Sequence, residues 1–385
     1  MGKMITATVS AAVLVALIGC SHRQGVADTT DERDAVAVFS EAAEGDTMPD
    51  GLIRSVRWIP LEAAGQQDLS EISELTAADS MIVICDRRKA LIQAYSPSGR
   101  FLYEINRKGQ GPGDYLEIAA MTVTPTSIYV LDNFASKLLR YSIADGSFAG
   151  DSALPFLAWD VEAFDDDDFL FAFIPQQTAG ASSGAVERTG YAVWRTDGDL
   201  KITESYLPLE KDATEPFGTS RYFTRAGNDI IFYSPKYGGS YFLFKRDGDP
   251  ERYGVELTNP VPDGSGKTLD ELNGRDWHFM SATPLVANGY AVLDIAKGVA
   301  GEQRFAAEST GLIYSNSTSW ARNIPVGIVG TTDGGFIGYI SDNYDQYKSL
   351  VEFGFQSGDP AVDSTLRDGG TALIVYEMAG RGKRD

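Results

Sequence analysis

Short apolar runs alternate with polar turns along this chain, and the pattern repeats about every 50 residues. Ile82–Asp86 is followed by Leu91–Tyr95 and then by Ser98-Gly99-Arg100-Phe101. Ile128–Asp132 is followed by Leu138–Tyr141 and Asp145-Gly146-Ser147-Phe148, and Ile230–Ser234 by Tyr241–Phe244 and Asp247-Gly248-Asp249. A weaker copy runs from Phe169–Phe173 through Tyr191–Trp194 to Asp197-Gly198-Asp199, with a Gly/Ser/Ala-rich insertion near 178–185. Each unit reads as a strand, a polar turn, a second strand, a hairpin and a third strand. Ser-Gly and Asp-Gly offer the positive φ that hairpins require.

A preceding segment such as Ile118–Val123 supplies a fourth strand. Four antiparallel strands in roughly 45–50 residues is the repeat of a β-propeller blade. Two less regular units contain Tyr290–Asp294 with Gly311, and Phe336–Ile340. Six middle strands therefore end at 86, 132, 173, 234, 294 and 340. The predicted fold is all-β, a six-bladed propeller of four-stranded antiparallel blades, with seven blades as the alternative count. Ser55–Leu61 is left over at the start and Thr371–Tyr376 at the end. Joined in one blade, they close the ring and remove an exposed sheet edge. The propeller domain is expected over 51–385, with a partly helical insertion near 342–369.

Composition agrees with that pattern. Among 385 residues are 40 Gly, 19 Phe, 18 Tyr and 5 Trp, and hydrophobic residues make up 43%. Asp and Glu number 54 against 33 Lys and Arg, a net charge of −21 that repels phosphate backbones and argues against nucleic acid as a partner. Cys20, Cys85, His22 and His278 are too few for a Cys/His zinc site, and no motif asks for a metal or cofactor. Cys85, inside an apolar strand, reads as buried and inert.

The N-terminus reads as an address. Lys3 precedes an apolar run, Ala11–Ile18, that is short for a membrane span, and Leu17-Ile18-Gly19-Cys20 resembles the bacterial lipobox. On that reading residues 1–19 are a signal peptide, Cys20 is lipidated and inserts its acyl chains into a membrane, and 20–50 form a flexible acidic tether.

Arg107-Lys108-Gly109-Gln110-Gly111-Pro112-Gly113-Asp114-Tyr115 resembles the Lys-Gly-Gln-Gly-Pro-Gly-Glu-Tyr signature of six-bladed β-propeller lipoproteins common in Bacteroidetes. Ile59-Pro60-Leu61-Glu62 near the mature start and an apolar last strand match too, so the resemblance spans about residues 52–379. Asp114 stands where Glu is usual, and no Asn-Pro precedes the last strand. The resemblance implies a propeller anchored in the cell envelope at the outer membrane, on either its periplasmic or its surface side. It transfers no catalytic residue.

In a propeller, the loops from outer strand to next inner strand share one face with the turns between second and third strands. That face collects Asp86–Lys89, the 107–115 loop, Trp159, Arg221-Tyr222, Pro235–Tyr237, Arg275–His278, Trp320-Ala321-Arg322 and Asp342–Tyr344. Arg107, Lys108, Gln110, Tyr115, Trp159, Arg221, Tyr222, Trp277, His278, Arg322 and Tyr344 are the candidate binding residues. Aromatic faces beside Arg forks suit a glycan, peptide or carboxylate. The competing reading has them packing between blades.

His278 could serve as a general base or simply bond a loop. The Gly109–Gly113 loop lacks the ending and helix of a phosphate-binding loop. Asp165–Asp168 reads as a solvated turn, since no calcium-loop spacing occurs. No Gly-x-Ser-x-Gly elbow is present. The expected function is a monomeric ligand-binding or protein-interaction module. The alternative is a glycan-active lyase or hydrolase on the same scaffold, because fold alone does not choose.

Overall fold

The computed structural model describes residues 35–41, 51–63, 68–78, 80–176, 189–210, 213–215, 217–262, 269–298, 300–314, 327–352 and 359–380. The chain opens with β1 (Ala37–Glu41) and β2 (Ile53–Pro60). The first blade is β3 (Glu74–Ala78), β4 (Met81–Asp86), β5 (Leu91–Tyr95) and β6 (Phe101–Ile105). The second is β7 (Ala120–Val123), β8 (Ser127–Asp132), β9 (Lys137–Ser142) and β10 (Phe148–Ala153). The third is β11 (Asp160–Asp165), β12 (Asp168–Ala172), β13 (Tyr191–Asp197) and β14 (Ile202–Pro208). The fourth is β15 (Phe223–Ala226), β16 (Asp229–Phe232), β17 (Ser240–Phe244) and β18 (Glu251–Glu256).

Helix α1 (Leu269–Asn273) and β19 (His278–Met280) precede the fifth blade, β20 (Leu285–Ala287), β21 (Tyr290–Lys297), β22 (Ala300–Ala307) and β23 (Leu312–Tyr314). The sixth begins with β24 (Ile328–Thr332) and β25 (Gly335–Ser341). Helices α2 (Tyr344–Glu352) and α3 (Pro360–Arg367) then intervene before β26 (Thr371–Met378). β2 pairs antiparallel with β26 over Ile53–Pro60, so a strand that precedes the first blade is the outer strand of the last. The described residues thus form six blades.

Ring closure is visible in how side chains partition. Val83 and Cys85 pack toward the second blade with Val130 and Leu139, while Ile82 and Ile84 pack toward the sixth with Ile337 and Leu373. The same alternation recurs in every blade. The six main apolar clusters correspond one to one with the six blade–blade seams. Inner and middle strands are buried on both faces and read as continuous apolar runs. Outer strands such as β10 and β14 are mostly exposed. Cys85 lies fully buried in such a run, and burial pushes its thiol up.

Three turn glycines take the expected positive φ, Gly99 at +86°, Gly146 at +71° and Gly248 at +96°. In the third blade the left-handed residue is instead Leu200, at +61°, two positions after Gly198.

Polar residues at the ends of second strands tie the two loop types of one face together. Asp86 Oδ2 accepts from the Ser70 amide (2.6 Å) in the loop entering the first blade, and Oδ1 accepts from the Lys89 amide (3.0 Å) in its own turn. Asp132 does the same with Leu116 N (2.6 Å) and Ala135 N (2.9 Å). In the fourth blade Ser234 takes this place, receiving Lys236 N (3.1 Å) and donating to Glu215 (2.9 Å).

One expectation is corrected. Residues 37–41 lie inside the segment read as a tether, yet they form β1, parallel to both β18 and β23. The segment has one short period-2 pattern, Ala37, Phe39 and Glu41 inward, too brief to stand out in an acidic stretch.

Asp132 is fully buried, so removing its carboxylate strands two amides. Asp132→Ala is expected to cost about 2–3 kcal/mol in urea unfolding, with Asp132→Asn losing less because its amide oxygen still accepts one of the two bonds. Equal losses would show that the latch contributes only by its bulk.

Candidate functional site

Charges cluster where the inner strands converge on the propeller axis. Glu74, at the start of β3, accepts from Arg87 Nε (2.8 Å) and from the Met121 amide (3.0 Å) of the next blade. Arg87 also crosses the channel mouth to donate to Ser220 O (2.5 Å), just before the fourth blade. Glu162 on β11 pairs with Arg225 Nε (3.0 Å) on β15 and receives the Thr122 hydroxyl from β7. Arg221 Nη2 stands 3.8 Å from Glu162, and its Nε is buried without a partner. Asp160 Oδ2 accepts the amides of Tyr222 (2.6 Å) and Phe223 (2.9 Å). Thr331 of the sixth blade donates to Arg225 O (3.0 Å). Three carboxylates and three guanidiniums therefore knit the inner strands in a charge-balanced group.

The electrostatics follow from burial. Desolvation, then the charge of Glu74, pushes the Asp160 carboxyl up to about 6, while Arg221 and Arg87 pull it back. Beside the axis, Glu215 is fully buried and receives hydrogen bonds from Tyr222 and Ser234; burial still lifts its carboxyl to about 7. Next to the ion pairs lies a cavity of about 60 Å³ lined by Glu162, Arg221, Thr224, Arg225, Thr331 and Asp333. It has room for water or a small ion, not for a sugar ring. Asp160, at 3% exposure, is shielded from any substrate.

The described candidates read from the sequence are mostly engaged. Arg107 pairs with Asp114 (3.3 Å) and donates to Pro112 O (3.1 Å). Lys108 and Gln110 are exposed. Tyr115 does not line the face: it is fully buried, and its hydroxyl donates toward Ala90 O (2.8 Å) and Ile105 O (3.1 Å), anchoring the loop. A Cβ on Gly109 or Gly111 would meet the Asp114 carboxylate at 2.5 or 2.9 Å, so those glycines make room for it. The glycine-rich loop is thus wrapped around its own acid. Trp159 stacks on Phe173 (5.3 Å between centroids) and donates to Ile174 O. Tyr222 is buried over Phe232.

Trp277 sits against Leu272 and Phe279 with Arg275 over its ring. His278 Nδ1 lies 3.2 Å from Glu41, so it bonds the N-terminal strand. Tyr344 donates to Asp363 (2.8 Å) within the helical insertion. Cys20, Trp320 and Arg322 lie outside the described residues. Asp166 in the four-acid run accepts from Thr124 (2.7 Å), Thr126 (2.6 Å) and Tyr129 (3.0 Å), while Asp168 pairs with Arg195 (2.6 Å).

Among the described candidates, only Arg221 and Tyr222 reach the axial group. Glu74, Asp160, Glu162 and Arg225 were missed. Their signal was a charge inside the first strand of a unit, where both faces of a blade are apolar and a charge can point only to the axis.

Another grouping emerges on the loop face. The Asp132 latch brings Leu116 beside the 133–136 turn, where Phe134 is 76% exposed. Arg88 and Lys108 extend exposed from neighbouring loops of the same face.

Asp160 and Glu215 titrate above their ordinary values of 3.8 and 4.5, so the fold favours their neutral forms. Their stabilisation is full below about pH 4 and is lost as pH rises through 6 and 7. Glu215→Gln removes one of these groups. Its melting temperature is expected to fall less between about pH 5 and pH 8 than that of the natural chain. Parallel melting curves would refute a buried neutral Glu215.

The comparisons agree with the six seams. A Bacteroides fragilis NCTC 9343 protein described as exported superposes with a TM-score of 0.69 at 16% identity, over 89% of this chain and 99% of its own. A member of the duf4221 family from Bacteroides vulgatus ATCC 8482 superposes with a TM-score of 0.51 at 10% identity, over 85% of this chain and 98% of its own. No curated protein matches the sequence. Residues 26–245, more than half of the chain, match the family DUF5128, described as a 6-bladed beta-propeller. With its ring closed through β2 and β26, the chain belongs to that six-bladed β-propeller family.

Proposed function

We propose that this protein is a binding module of the cell envelope rather than an enzyme. On this reading it is anchored by acyl chains on Cys20 in the outer membrane and recognises its partner with the loop face of the first two blades. The observation that carries the reading is the contrast between axis and rim. At the axis, carboxylates and guanidiniums pair across the blades around a 60 Å³ cavity. On the rim, Phe134 stands 76% exposed in the turn that Asp132 ties to Leu116, and Arg88 and Lys108 are exposed in loops of the same face. A ring that projects this far needs a pocket on its partner, which favours a protein over a small molecule. Exposed cations on the same face, on a chain of net charge −21, favour an acidic partner segment. The description of the Bacteroides fragilis neighbour as exported supports an envelope address.

The rival reading, turnover of a glycan, would draw on Asp160 and Glu74. Both are buried, Glu74 is paired with Arg87, and Asp160 holds two backbone amides.

Two experiments test the proposal. Cys20→Ser is expected to move the protein from the membrane to the soluble fraction; unchanged membrane retention would overturn the anchor. A photo-crosslinking residue at position 134 is expected to give a discrete adduct in living cells, lost when Arg88 and Lys108 are both changed to Glu. The same residue at Ser98, on the opposite face, should give none. Absence of the adduct at 134, or equal adducts at both positions, would reject the loop face as the recognition surface.

A further inference from the structure

The seam between the fourth and fifth blades differs from the other five. β18 and β23, the outer strands of these blades, do not pair with each other; β1 lies between them, parallel to both, and joins the two blades into one ten-stranded sheet. Val36 N donates to Arg252 O (2.9 Å) on one side, and Ser40 N to Gly311 O (2.9 Å) on the other. Two strand edges thus face a slot one strand wide, and an extended segment fills it by backbone hydrogen bonds.

Side chains set what the slot accepts. Phe39 points inward and is buried among Tyr241, Val255, Leu293 and Ile313. Two residues on, Glu41 also points inward, with a side chain 7% exposed. Its carboxylate lies 3.2 Å from His278 Nδ1 and receives Arg304 Nη1, the Thr258 amide and the Thr258 hydroxyl. Val38, just before Phe39, faces outward at 40% exposure. An aromatic pocket and a cationic pocket at alternate positions are how a sheet edge reads an added strand. The strand lies ahead of all six blades in sequence and interrupts none of them. It can therefore leave and be replaced without unthreading the ring, the low-cost condition for exchange between copies.

We propose that this seam is a strand-binding site for an extended segment with an aromatic residue and a carboxylate two positions later. Its resident ligand is the chain's own Ala37–Glu41, and the same strand from a second copy replaces it.

The test uses the full chain carrying Phe39→Lys, which disables the resident strand, and a fluorescein-labelled peptide of residues 35–41. Saturable binding by fluorescence anisotropy is expected, and the peptide with Phe39→Ala or Glu41→Gln should bind about tenfold more weakly. Mixing the Phe39→Lys chain with an Arg304→Glu chain pairs an empty slot with a free strand. The mixture is expected to give a one-to-one dimer by light scattering that neither gives alone. No saturable binding to a folded Phe39→Lys chain, equal binding of a scrambled peptide, or a mixture that stays monomeric would each overturn the proposal. If Phe39→Lys does not fold, the natural chain with a protease site placed within 42–50 replaces it. After cleavage the labelled peptide must exchange with the resident fragment, and failure to exchange refutes the site.

Discussion

A four-stranded blade with apolar side chains on both faces cannot stand alone in water, and the rest of this molecule follows from that constraint. Each blade must be covered twice, by a neighbour on either side, and an open row would leave two faces bare. Closing the ring is the only arrangement that covers all of them, so the first and last strands of the propeller must meet. β2 meets β26 for this reason, and the six main apolar clusters number one per seam. Burial of this kind is non-directional, so it leaves the register between blades to polar contacts.

Those polar contacts have two locations. At the axis, inner strands come too close for a large cavity, and any charge there must find a partner on another blade. Glu74, Asp160 and Glu162 do so with Arg87, Arg221, Arg225 and backbone amides. At the ends of the second strands, Asp86, Asp132 and Ser234 hold incoming loops against turns. The first group ties the inner strands of different blades to one another. The second builds a continuous loop face, on which side chains not needed for packing can be presented.

Some of the candidate site was readable in advance. Arg221 and Tyr222 follow from blade register alone, because the entry to an inner strand has to approach the axis. Tyr115 was misplaced because a tyrosine in a glycine-rich loop looks available, whereas here its hydroxyl meets two carbonyls in the seam. Phe134 carried no signal, since one aromatic in a turn is indistinguishable from one that folds back onto the core. Exposure depends on what lies above a residue, and that is a property of distant chain.

By itself, the sequence determined the blade. The alternation of apolar residues, the spacing of turn glycines and the polar strand ends are local, and local patterns set strand, turn and repeat length. The count of six and the use of both chain ends in one blade follow from that repeat. Only the tertiary structure decided which charges meet at the axis. It also showed that Ala37–Glu41 fills a seam between blades that begin at Phe223 and Leu285. Partners separated by two hundred residues or more, such as Glu41 with His278 and Arg304, leave no periodic trace. Their pairing arises from the closed ring, which brings together edges that the linear order keeps apart.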